Sequence, residues 1–187
     1  MIKLYSYYLI NNIKKMNTLI QKSKKIVLFG DGGVGKTSYI NRLRTSNFTR
    51  EYIPTIGIKV NHLDYWENNL NDIFNIWDFS GQEKYGEFIE EYCKGAIGAI
   101  IMFDVSSKTS FKNVIFWITK IKIANPIIPI IICGNKCDIK ERNINLNDVI
   151  KKYDYLYFDI SVKCCYNIEK PIQYIREIYE NVEFSLK

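Results

Sequence analysis

The sequence predicts an α/β domain, a mostly parallel six-stranded sheet with one antiparallel edge strand and helices on both faces. Short apolar β-branched runs alternate with longer helical ones from Lys25 onward, as a parallel sheet covered by helices requires. Two of those runs, Ala99 to Asp104 and Ile127 to Cys133, are apolar almost throughout, the pattern of strands buried on both faces. Two others are separated only by the polar stretch Glu67 to Asn71, which predicts a hairpin and therefore one antiparallel edge.

The first strand is expected at Ile26 to Phe29, leading through a glycine-rich loop into a helix from about Lys36 to Arg44. The hairpin strands follow at Ile58 to Tyr65 and Ile73 to Phe79. Ala99 to Asp104 is the fourth strand, Ser107 to Ile123 a helix and Ile127 to Cys133 the fifth strand. A last strand at Tyr155 to Ile160 precedes a helix from about Ile168 to Glu180, where Pro171 is tolerated because it falls in the first turn. Residues 1–23 are rich in Lys, Asn and Tyr and contain a second methionine, Met16. They are expected to be a mobile N-terminal extension, or the product of a start upstream of Met16. Residues 24–187 are expected to form one domain; at 187 residues and 47% hydrophobic, the chain can fill one core and is short for two.

Composition narrows the class without naming a function. The net charge of +6 is compatible with nucleic acid, an anionic membrane or a phosphate-rich ligand. The five cysteines are an odd number with no repeated C-x-x-C pattern, and His62 is the single histidine. A reduced, intracellular protein without a zinc site is the expectation. No stretch approaches the roughly 18 to 20 apolar residues of a membrane span, and Met1-Ile2 lacks the glycine of a myristoylation signal. The protein is expected to be soluble.

Gly30-Asp31-Gly32-Gly33-Val34-Gly35-Lys36-Thr37 matches G-x-x-x-x-G-K-[ST] between an expected strand and an expected helix, the setting of a phosphate-binding loop. Glycines let backbone N–H groups converge on phosphate oxygens, and the helix N-terminus adds positive potential. Lys36 can reach the β- and γ-phosphates, and Thr37 can offer its hydroxyl to Mg²⁺. Asp78-Phe79-Ser80-Gly81 fits D-x-x-G at a strand end, with Asp78 positioned toward Mg²⁺, Gly81 free to approach the γ-phosphate, and Gln82 next to orient a water. Asn135-Lys136-Cys137-Asp138 follows the fifth strand, at the carboxyl end where open sheets bind ligands. A carboxylate there can accept from both the ring N–H and the amine of guanine, whereas adenine would leave it unpaired at a cost of about 1 to 3 kcal/mol.

The phosphate loop, D-x-x-G-Q, N-K-x-D and Ser161-Val162-Lys163 stand in the order found in the Ras superfamily, which the chain resembles from roughly Lys24 to Phe184. The resemblance implies a phosphate-loop G domain that binds GTP or GDP with Mg²⁺ and hydrolyses GTP. It implies that residues 30 to 38, Ser38 included, cradle the nucleotide, with Lys36, Thr55 and Gln82 as the catalytic set and Thr37, Thr55 and Asp78 on the metal. By the same resemblance Phe48 packs on the guanine edge, Lys136 stacks on the base, and Ser161, Val162 and Lys163 approach its carbonyl. Within the superfamily, Ile100 to Val105, Tyr157 to Ser161, Tyr166 to Pro171 and Asn181 to Phe184 look most like the Ran family of nuclear-transport GTPases. That likeness implies an exchange factor, a GTPase-activating protein and karyopherin-type transport receptors as partners. It also implies a monomer of the nucleus or cytoplasm, with no direct nucleic-acid contact and no lipid anchor.

The chain departs from the Ran pattern in four respects, the first being Pro54, which stiffens the residue before Thr55. It stops at Lys187 without an acidic tail, the usual D-T-A-G is Asp78-Phe79-Ser80-Gly81, and the stretch after Ile139 is less basic. Phe79 and Ser80 would stand beside the γ-phosphate. These departures keep two other functions open, a non-hydrolysing GTP-bound scaffold or decoy and an unlipidated Rab-like trafficking GTPase. A phosphate-loop metabolic kinase is disfavoured, because N-K-x-D and D-x-x-G-Q have no joint role in that chemistry.

Overall fold

In the computed structural model, which describes residues 23–49, 54–67, 70–79 and 89–185, six strands form one sheet in the order β2-β3-β1-β4-β5-β6. The strands are β1 (Lys24–Phe29), β2 (Ile58–Glu67), β3 (Leu70–Phe79), β4 (Ala96–Asp104), β5 (Ile130–Asn135) and β6 (Leu156–Asp159). Only β2 and β3 pair antiparallel, placing β2 on the edge; β1 pairs parallel with both β3 and β4, and β5 with β4 and β6. The helices are α1 (Lys36–Thr45), α2 (Ile89–Cys93), α3 (Lys108–Ala124), α4 (Leu146–Lys152) and α5 (Lys170–Ser185). The N-terminal extension, apart from Ser23, and Ser80, Gly81 and Gln82 lie outside the described residues.

The period-two geometry of strands divides the apolar residues between two cores. Val27, Phe29, Ile101, Phe103 and Ile132 face one side, where α3 contributes Val114, Trp117 and Ile121. Ile26, Leu28, Ile100, Met102 and Cys133 face the other, against Tyr39 and Ile40 of α1 and Ile172 and Ile175 of α5. The near-continuous apolar runs of β4 and β5 are therefore two interleaved faces, as expected for strands covered on both sides.

Element boundaries moved for local reasons. The fifth strand begins at Ile130 rather than Ile127: Pro129 has no N–H for the ladder, and Ile127 sits in the preceding turn, 90% exposed. The carbonyl of Pro129 still accepts from the Ala99 N–H at 2.9 Å. The sixth strand shortens to Leu156–Asp159, and the last helix runs from Lys170 to Ser185, with Pro171 in its first turn as expected. Two short helices, α2 and α4, were not anticipated. In α4 the backbone N–H of Asn145 donates to Asp148 Oδ2 at 2.8 Å and Lys151 and Lys152 occupy the last turn, so a polar start and a basic end carry a helix with little apolar periodicity.

Candidate nucleotide site

The loops after β1, β4, β5 and β6 open on the carboxyl edge of the sheet, and the strand order reverses about β1, the place where open α/β sheets bind ligands. The phosphate-loop backbone turns through positive φ at Gly30, Gly33 and Gly35, at 141°, 77° and 102°. A side chain at Gly30 would collide with the carbonyl of Met102 on β4, and one at Gly35 with the amide of Asn135, so glycine is demanded by close approach as well as by dihedral angle. Gly35 ends the loop as the N-cap of α1 without a side-chain cap, and the first turn of α1 contains no acidic residue. Its leading N–H groups are thus available to an anion.

Lys36 curls back over this loop, donating to the carbonyls of Gly30 at 2.7 Å and Asp31 at 2.9 Å. Only 6% of the residue is exposed. Burial lowers its pKa to about 8, against the opposing pull of Asp78 and Asp31. Ser38 is half-buried in the first turn of α1.

The three residues expected on Mg²⁺ come together from α1, β3 and the loop before β2. Thr37 Oγ1 donates to Asp78 Oδ2 at 2.5 Å and lies 2.8 Å from Thr55 Oγ1. Asp78 is fully buried and its Oδ1 has no hydrogen-bond partner; burial raises its pKa, while the Thr37 hydroxyl and the ammonium groups of Lys36 and Lys59 pull the other way. A buried carboxylate with one oxygen unpartnered, beside two hydroxyls, fits a hard divalent cation that takes oxygen ligands. Phe79, expected beside the γ-phosphate, is instead a core residue: 5% exposed, its ring stands 5.3 Å from Phe29, 5.6 Å from Tyr92 and 6.2 Å from Trp117. Period two in β3 turns it away from the face that presents Asp78.

On the other flank, Asp138 Oδ1 accepts from Ser161 Oγ at 2.7 Å and its Oδ2 from Lys163 Nζ at 3.3 Å. Burial opposes ionisation of Asp138, but the Ser161 hydroxyl and the Lys163 ammonium prevail and hold its pKa below the usual carboxylate value. Asn135 is an internal tie: its Nδ2 donates to the carbonyl of Val34 at 2.8 Å and its Oδ1 accepts from the Val162 N–H at 3.1 Å. One side chain so joins the phosphate loop to the Ser161–Val162–Lys163 loop. Lys136, at φ 65°, pairs with Asp104 at 2.6 Å and donates to the carbonyl of Gly33 at 3.0 Å, extending its aliphatic stem along this edge. Phe48 is half-buried against the core beneath α1, with the Arg42 guanidinium 5.5 Å from its ring centre.

Several site residues were not foreseen. Asp104, which closes β4, accepts from the backbone N–H and the hydroxyl of Ser106 at 2.8 and 2.6 Å; burial opposes its ionisation, yet the Lys136 and Ser106 hydrogen bonds keep its pKa lowered. A carboxylate ending an apolar strand was the available signal. Arg42 donates to the carbonyls of Val162 at 3.1 Å and Lys163 at 2.8 Å, and Arg142 clamps Asp159 through both oxygens at 2.9 and 3.0 Å. Neither arginine belongs to a motif, and partners 17 to 121 residues away leave no local pattern.

The arrangement offers an anion-binding loop, a cation-binding oxygen cluster and a carboxylate acceptor for a base, side by side on one edge. Among the described residues, no helix is long and apolar enough to cross a membrane. The model of the Ras family matches residues 25–181.

Proposed function

The chain belongs to the Ras family and is thus a GTP-binding small GTPase switch, and we propose that it turns over slowly on its own and serves a Ran-like role in nucleocytoplasmic transport. The observation that carries the nucleotide reading is the meeting of Thr37, Thr55 and Asp78 at the mouth of the phosphate loop, with Asp138 and Ser161 on its other flank.

In this reading the loop N–H groups and the Lys36 ammonium hold the β- and γ-phosphates, and Thr37, Thr55 and Asp78 would hold Mg²⁺. When bound, Mg²⁺ neutralises charge that builds on the phosphate oxygens during transfer. Asp138 accepts from the guanine ring N–H and amine, the Lys136 stem stacks on the base, Phe48 covers its edge, and the N–H groups of Ser161 to Lys163 meet its carbonyl. Gln82 orients the attacking water. The γ-phosphate engages Thr55 before hydrolysis and is lost to it afterwards, and partners read that difference. Among the described residues no arginine occupies an identifiable finger position, and intrinsic turnover is expected at about 10⁻⁴ to 10⁻² per second, with an activating protein supplying the remainder.

The Ran-like role rests on the stretches Ile100 to Val105, Tyr157 to Ser161 and Tyr166 to Pro171, and it makes karyopherin-type receptors the expected effectors in nucleus and cytoplasm. The burial of Phe79 weakens one motive for a non-hydrolysing scaffold. Single-turnover hydrolysis with Mg²⁺ tests the cycle by comparing the wild type with Gln82→Leu. GTP hydrolysis that Gln82→Leu slows supports the switch; GTP held intact by both points to the scaffold, and a preference for ATP would sink both. Capture of transport receptors by the Gln82→Leu form, and not by the GDP form, tests the transport role.

A further inference from the structure

Asp31 sets a carboxylate in the second position of a loop built to bind anions. Left free, it would compete with phosphate for the loop N–H groups and for Lys36, whose Nζ already lies 2.9 Å from its own carbonyl oxygen. Both carboxylate oxygens are instead held by α3. Asn113 Nδ2 donates to Oδ2 at 2.5 Å and Trp117 Nε1 donates to Oδ1 at 3.2 Å.

Asn113 and Trp117 stand four residues apart, on one face of α3. The indole does more than donate. It is 1% exposed, stacks on Phe29 with ring centres 5.7 Å apart, and meets Phe79 edge-on at 6.2 Å. Phe29 immediately precedes the phosphate loop and Phe79 immediately follows Asp78. One side chain of α3 thus touches the strand ends that carry the loop and the metal carboxylate while restraining the loop's own negative charge.

We propose that Asn113 and Trp117 are positioning residues for nucleotide binding, holding the Asp31 carboxylate against α3 so that it does not compete with the phosphate groups. The proposal rests on the reading that this loop binds GDP and GTP. Asparagine suits the task because its amide donates whatever the pH. Loss of either donor frees a half-buried acceptor that already acts electrostatically on Lys36, one of the groups that would grip phosphate.

The test is the dissociation rate of fluorescent mant-GDP, with Mg²⁺, from the wild type, Asn113→Leu, Asp31→Ala and the double variant. Asn113→Leu is expected to speed release about tenfold when Asp31 is present, the scale of one competing charge at a partly solvated site. On the Asp31→Ala background the same substitution is expected to have little effect on release. The fall in melting temperature caused by Asn113→Leu should shrink on the Asp31→Ala background, where the hydrogen bond is already lost, and any part that persists reports packing. Trp117→Phe, which keeps the ring and removes the donor, should behave in the same way with a smaller acceleration. Equal acceleration on both backgrounds would assign Asn113 a packing role and overturn the proposal, as would no acceleration with Asp31 present. A wild type that fails to retain mant-GDP would overturn the nucleotide reading itself, before any variant is compared.

Discussion

Lys36 is charged at neutral pH in spite of its surroundings. Burial lowers its pKa to about 8, and phosphate oxygens beside the ammonium will raise it again. The complex therefore holds more protons than the free protein once pH exceeds about 8, and affinity for GDP should be full below that point and decline as pH rises through it. Titration calorimetry from about pH 7 to 9 checks this, with Lys36→Arg, always charged, expected to lose the decline. At Asp138, both oxygens already accept from Ser161 and Lys163, which keeps the carboxylate ionised and aimed. Each hydrogen bond to a charged acceptor contributes about 1.5 to 3 kcal/mol, so GTP should compete better than inosine triphosphate, which lacks the exocyclic amine, by about ten- to a hundredfold. Asp138→Ala should erase that preference in a competition assay.

At the scale of elements, α5 approaches β4 closely where Gly98 stands. A Cβ there would lie 2.6 Å from Cγ2 of Ile175, itself fully buried. Gly98→Ala is expected to destabilise the fold by about 1 to 3 kcal/mol through overpacking, read as a lower urea midpoint, with nucleotide specificity unchanged because the site lies at the other end of β4, beside Asp104. The long amphipathic helices were legible because α3 repeats buried Phe111, Val114, Trp117, Ile118 and Ile121 at helical spacing. Helix α2 was not. Five residues with Ile89 and Cys93 as its buried pair span little more than one turn, too short for periodicity to be distinguished from a loop.

Across the whole molecule, burial sets the Asp78 carboxylate against its own ionisation. Its pKa is raised by burial, so the stability this group contributes is complete below its unfolded pKa and is lost as pH rises through the folded one. Wherever it is ionised the buried carboxylate opposes folding, and a cation beside it would offset that cost. Asp78→Asn should therefore raise the melting temperature of the metal-free, nucleotide-free protein by scanning fluorimetry. It should also remove the added stabilisation from Mg²⁺ with GDP, which for the wild type approaches about 2.7 kcal/mol at a hundredfold excess over Kd.

Residue order alone determined the parallel sheet and the hairpin at its edge, and it marked the phosphate loop, Asp78, Asp138 and the Ser161 loop as the candidate site. Strand burial and glycine geometry are local properties, and each motif is a short run whose spacing is set by one turn of backbone. Tertiary structure alone decided that Asn135 ties two loops together and that Asp31 turns toward Asn113 and Trp117. Those outcomes depend on partners 27 to 101 residues away and on strand pleat relative to helices packed later, and no spacing within a single segment encodes a contact that exists only once the sheet has closed against its helices.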